Sequence, residues 1–127
     1  MLPAVNPEDV NKAISARATG YRVSIIVPSV APDGHKFNHT QLVDNVAAAL
    51  ADLFGGATLS TGFGVWLDDN NAIVAEHTTE VWSLVAGTFS HNEVLNHVVT
   101  IALAVKHVSH NDCVLWSVQN VNDWGLA

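Results

Sequence analysis

The chain has 127 residues, of which 49% are hydrophobic and 13% charged, and twelve acidic against five basic side chains give a net charge of −7. That length accommodates one core and excludes two. No Lys/Arg cluster is present, which argues against nucleic-acid binding, because neutralising phosphates needs concentrated positive charge.

Residues 1–19 read as an N-terminal extension, either a short helix or partly disordered. Asn6 is a candidate cap, Pro7 opens the segment, and Val10, Ile14 and Ala18 recur at helical spacing before Gly20. A single domain is expected over 20–127. Tyr21 to Val30 is β-branched and almost continuously apolar, the mark of a strand covered on at least one face, and Pro28 and Pro32 end it. A polar loop follows. From Thr40, Leu42, Val43, Val46, Leu50 and Leu53 keep helical spacing up to a stop at Gly55-Gly56.

Ala57 to Leu67 and Ala72 to Ala86 are extended segments joined by DDNN, which predicts a hairpin. GFG at Gly62 to Gly64 predicts a bulge or a close approach of ligand to backbone. A second long helix is expected over His91 to His107, with Ser90 as cap and Glu93 completing a capping-box pattern. Val114 to Val118 reads as the last strand, and Cys113, the single cysteine, as a buried packing residue in it. A lone cysteine leaves no internal disulfide and agrees with a reducing compartment.

The order strand-helix-strand-strand-helix-strand is the α+β, ferredoxin-like arrangement: an antiparallel sheet with two helices on one face. The other face then needs cover. Trp66, Trp82 and Trp116 are expected to point there, a large apolar load best explained by a second subunit. No run approaches the roughly 18 apolar residues of a membrane span, and no charged-then-apolar signal pattern opens the chain. The expected location is the cytoplasm, with no membrane or nucleic-acid partner.

No Ser-His-Asp order at a nucleophile elbow and no phosphate-cradling glycine loop is found. The seven histidines fit no zinc framework, so neither metal nor cofactor is expected. His35 with His39, and His107 with His110, are near in sequence and read as structural pairs or adventitious ion sites. Only four glutamates occur in the chain. Glu76 lies in a strand otherwise made of Val, Ala, Thr and Trp, so its carboxylate is either on an exposed face or held in a subunit cleft. Glu80, four residues on, points to the same side of a regular strand and competes with it.

The closing stretch NDCVLWSVQNVNDWGL, from Asn111 to Leu126, resembles the last strand of the phage-encoded S-adenosylmethionine hydrolases, now regarded as lyases. Three further segments resemble the same family in the same order: Tyr21 to Ser29 its opening strand, His39 to Leu53 its helix, and Gly55 to Glu80 its central hairpin. The resemblance implies a homotrimer with intersubunit active sites, like the related trimeric signalling proteins. It also implies S-adenosylmethionine as substrate, bacteriophage origin with an anti-restriction role, and action in the cytoplasm of the infected host.

By the same resemblance, Glu76 holds the position of the family's active-site glutamate and Trp66 that of the aromatic that lines the site. The family pattern has Tyr there; Trp lacks the hydroxyl but can stack on a sulfonium. Ser60 and Thr61 are candidates to offer hydroxyls to the ligand or are ordinary strand surface, and Gln119 is a candidate for the ribose or adenine. The implied reaction yields methylthioadenosine and homoserine lactone by attack of the substrate carboxylate, or homoserine if Glu76 activates water. Two other classes stay open: a non-catalytic trimeric protein that binds a small effector, and a small oxygenase or isomerase that would need an inward histidine.

Overall fold

The computed structural model describes residues 1–127. Three helices and four strands alternate as α1 (Pro7–Ser15), β1 (Ala18–Pro28), α2 (His39–Phe54), β2 (Thr58–Leu67), β3 (Ile73–Ala86), α3 (His91–Ser109) and β4 (Trp116–Trp124). The strands form one antiparallel sheet in the order β2-β3-β1-β4. From β1 onward this is the ferredoxin-like βαββαβ connection.

The helix boundaries have local causes. Asn6, Asn38 and Ser90 each accept a hydrogen bond from a first-turn backbone N–H, at 2.9, 3.0 and 3.1 Å, satisfying a donor that the helix leaves free. Gly55 ends α2 in the left-handed region, at φ 94°, where a side chain would be strained. At the hairpin tip Asp68 accepts from the backbone of Asn70 and Ala72, both at 2.9 Å. Asn71 takes the positive φ that closes the turn.

α2 and α3 cover the same face of the sheet. Beneath them Val23, Ile25 and Val27 of β1 and Val81 and Val85 of β3 meet Leu42, Val43, Val46 and Leu50 of α2 and Val94, Val98 and Val105 of α3. α1 buries no residue. It lies outside this core, where Arg17 pairs with Asp123 at 2.8 Å. No helix is long and apolar enough to cross a membrane.

Several elements differ from the sequence reading. β1 begins at Ala18, and Gly20 lies so close to the Val85 carbonyl that no Cβ would fit. β4 begins at Trp116 and runs on through Gln119, Asn120 and Asn122, because an edge strand needs only one apolar face. Cys113 accordingly sits in the connection ahead of β4 and is exposed, not buried. Trp116 pairs with Ile25, whose side chain is in the core, so it lies on the helix face and not on the uncovered one. Pairing of β2 with β3 is unbroken from Thr58 to Leu67, so GFG forms no bulge.

Candidate functional site

Directly opposed residues of paired strands share a face, so the register assigns every side chain. Val81 and Val85 face the helices, and the alternate residues Glu76, Thr78, Glu80 and Trp82 face the uncovered side. Opposite them on β2 stand Gly64 (with Glu76), Gly62 (with Thr78) and Ser60 (with Glu80), while Trp66 pairs with Val74. Glu76 and Glu80 thus share a face, as four-residue spacing in a regular strand requires.

Their surroundings separate them. Glu80 is held by Arg22, with contacts of 3.2 and 3.4 Å, and by the Ser24 hydroxyl at 2.6 Å. Arg22 also lies over the Trp82 ring, 4.5 Å from its centroid. The Arg22 hydrogen bonds, and after them the Ser24 bond, hold the Glu80 carboxyl below its ordinary range, against a smaller opposing effect of burial. This carboxylate already has its cation.

Glu76 has none. It is 8% exposed, and its Oε2 accepts from Ser29 Oγ at 3.3 Å and from the Val30 backbone N–H at 3.1 Å. No Lys, Arg or His forms an ion pair with it. Both donors lie just past the end of β1, where the chain turns across the end of β3. Two neutral hydrogen bonds satisfy part of a carboxylate but leave its charge uncompensated. Such a group is poised to take up a cation.

Trp66 shares this face, two residues along β2 from the residue opposite Glu76. The Trp66 ring folds back over Gly64, the residue opposite Glu76, with ring carbons 3.4 and 3.8 Å from where a Gly64 Cβ would be. A Cβ at 64 would meet the indole in ordinary contact, and the ring lies on the β2 side of β3 while the Glu76 carboxylate is held from the β1 side. The ring remains 40% exposed. A carboxylate with an aromatic face is a recognised arrangement for an organic cation.

The remaining candidates lie elsewhere. Ser60 shares the face, but four residues of strand put it about 13 Å along from Glu76. Thr61 pairs with Thr79 and faces the helix side. Gln119 is on the uncovered face opposite Arg22, which itself pairs with Leu84. Eight residues of β3 separate Leu84 from Glu76, about 26 Å, so within one chain Gln119 and Glu76 cannot touch one small ligand. The histidine pairs also differ from expectation: His35 stacks on His110, with centroids 3.6 Å apart, and His39 bonds the end of β1 instead. No group of three or more His, Cys, Asp or Glu is arranged to hold a metal.

Sequence reading missed Ser29 and Val30, which hold Glu76, and the role of Arg22 in occupying Glu80. The GFG motif was the visible signal for Gly64, although what approaches the glycine here is the Trp66 ring.

The molecule is thus a ferredoxin-like α+β domain with an unpaired, buried carboxylate and an exposed tryptophan on the same face of its β2-β3 hairpin. Among solved structures it is similar to a phage SAM lyase in complex with S-methyl-5'-thioadenosine, at 13% identity and a TM-score of 0.66, covering 85% of this chain and 89% of that one. A phage SAM lyase in the apo state matches at 14% identity and 0.64, covering 86% and 90%. A Bacillus cereus protein related to NIF3 matches at 12% and 0.56, with 89% of this chain but 29% of that one. No family model and no curated protein matches the sequence. The chain therefore has the fold of the phage SAM lyases over most of its length, at low sequence identity.

Proposed function

We propose that the protein is an S-adenosylmethionine lyase. The observation that carries this reading is Glu76, a buried carboxylate without a cation on the sheet face that also bears the exposed Trp66, in a chain folded like the phage enzymes. S-Adenosylmethionine presents two positive groups, the methionine ammonium and the sulfonium. Glu76 takes the ammonium, and the Trp66 face takes the sulfonium.

The chemistry needs no group beyond the substrate's own. An oxygen of the methionine carboxylate attacks the γ carbon, the carbon-sulfur bond breaks, and its electron pair goes to sulfur. The products are homoserine lactone and neutral methylthioadenosine, with no proton transferred. The protein contributes by holding the tail folded for in-line attack and by keeping water from the attacking carboxylate. Loss of the methyl donor would deprive the restriction and modification systems of an infected host.

In this reading the active protein is a trimer with the site between subunits, which is where Gln119 of a second copy would enter. The apolar surface that calls for cover is concentrated on the hairpin, where Phe63, Val65, Leu67 and Ile73 are each more than half exposed on one side and Trp66 is exposed on the other. Incubation of the purified protein with S-adenosylmethionine, followed by chromatography for methylthioadenosine, tests the activity.

A further inference from the structure

The turn that supplies both donors to Glu76 is itself fixed from the opposite face of the sheet. His39, the first residue of α2, places Nδ1 2.8 Å from the carbonyl oxygen of Pro28 and Nε2 3.2 Å from Thr79 Oγ1. A carbonyl can only accept, so Nδ1 carries the hydrogen; in the neutral ring Nε2 then accepts from the Thr79 hydroxyl. Pro28 is one residue before Ser29, and Thr79 is three residues after Glu76. The imidazole therefore ties the exit of β1 to β3 on the helix face, while Ser29, Val30 and Glu76 tie the same two strands on the uncovered face. Asn111 holds the far side of the turn, its Nδ2 donating to the Val30 carbonyl at 3.0 Å.

We propose that His39 is a positioning residue for Glu76. By fixing the Pro28 carbonyl it sets where Ser29 Oγ and the Val30 N–H meet the carboxylate, and through Glu76 it sets where the substrate ammonium is held. The choice of histidine follows from the geometry. The span from Pro28 to Thr79 needs a donor on one side of a rigid group and a hydrogen-bonding atom on the other, and the two nitrogens of one ring provide both. Thr79 is 6% exposed, so its hydroxyl needs a partner in place.

The catalytic part of this inference rests on the lyase reading, and two measurements keep them apart. The first is independent of activity: the amide proton of Val30 reports the hydrogen bond to Glu76 by NMR. Its resonance should move upfield in Glu76→Ala and in His39→Ala, and should stay near the wild-type position in His39→Asn, whose side-chain N–H reaches roughly where Nδ1–H sits. An unmoved Val30 amide in folded His39→Ala would overturn the positioning role whatever the protein catalyses.

The second is steady-state turnover of S-adenosylmethionine. A displacement of about 1 Å at a positioned group can cost a hundredfold, so His39→Ala should lower kcat by about 10- to 100-fold with KM changed far less. His39→Asn should recover most of the loss, and His39→Gln, whose amide lies nearer the Nε2 position, should not. Equal rescue by Gln and Asn, or a loss confined to KM, would contradict the proposal. A wild-type protein that releases no methylthioadenosine would remove the lyase reading, and the Val30 amide would still decide the role of His39.

Discussion

Replacing each glutamate of the uncovered face by glutamine separates a carboxylate that holds substrate from one that holds the sheet. In Glu76→Gln the amide oxygen can still accept from Ser29 Oγ and the Val30 N–H, now 3.3 and 3.1 Å from Oε2. The fold loses no charged partner, because Glu76 has none, so the melting temperature should change little. On the proposed reading, the substrate ammonium loses its counter-charge at a carboxylate only 8% exposed. Such a charge-assisted contact is worth about 2 to 4 kcal/mol when realised in the transition state, a fall in kcat/KM of roughly thirtyfold to a thousandfold. Glu80→Gln should do the reverse. Arg22 and Glu80 have side chains about 30% exposed and Ser24 is buried with its hydroxyl 2.6 Å from the carboxylate, so the loss is about 1 kcal/mol of stability, a few degrees in Tm, with turnover close to wild type. The assay is methylthioadenosine release beside thermal unfolding for both variants. Turnover abolished by Glu80→Gln and retained in Glu76→Gln would refute the reasoning, as would indifference of activity to both.

Three further outcomes follow. Glu80 has its carboxyl held below the ordinary value of 4.5, so the stability it contributes is present above that value and lost as pH falls through the lower folded one. Wild-type protein should therefore lose stability more steeply than Glu80→Gln on acidification below about pH 5, and parallel curves by denaturant titration would contradict this. In Gly64→Ala the new Cβ would lie 3.2 Å from Thr78 Cγ2 and 3.4 Å from the Trp66 ring. The Thr78 methyl must give by a few tenths of an ångström while the indole stays in ordinary contact, so the variant should fold with a slightly lowered melting temperature and an unchanged KM for S-adenosylmethionine; a KM raised severalfold would contradict this reading of the contacts. Light scattering at micromolar concentration should give three times the 13.5 kDa chain mass, and a monomer would exclude an intersubunit site.

What the sequence made legible is what local chemistry governs. Asn6, Ser90 with Glu93, and Gly55 announce their helix ends because caps and left-handed stops act over a few residues, and DDNN announces the hairpin for the same reason. The likeness of the central hairpin to the phage enzymes brought out Glu76 and Trp66, which share one face of the sheet. Hidden from sequence was whatever depends on pairing between distant strands. The face of Trp116 follows from its register against Ile25, and a one-residue slip would reverse it. Gln119 looked like a partner for Glu76 until the same register placed it eight residues of strand away. Cys113 sits among apolar neighbours, but the edge strand starts three residues later and leaves it in the open. Glu76 and Glu80 are indistinguishable by spacing; they differ because Arg22 and Ser24, 58 and 56 residues from Glu80, meet only one of them. His39 carries no periodic signal at all, since its partners belong to β1 and β3.

The central claim is that this chain cleaves S-adenosylmethionine at a site built on Glu76. The most direct test is to incubate wild-type and Glu76→Gln protein with S-adenosylmethionine and quantify methylthioadenosine by chromatography. The account predicts stoichiometric release of methylthioadenosine with homoserine lactone by the wild type and a loss of at least thirtyfold in the variant. No methylthioadenosine from the folded wild-type protein, or equal release by the two, would contradict it.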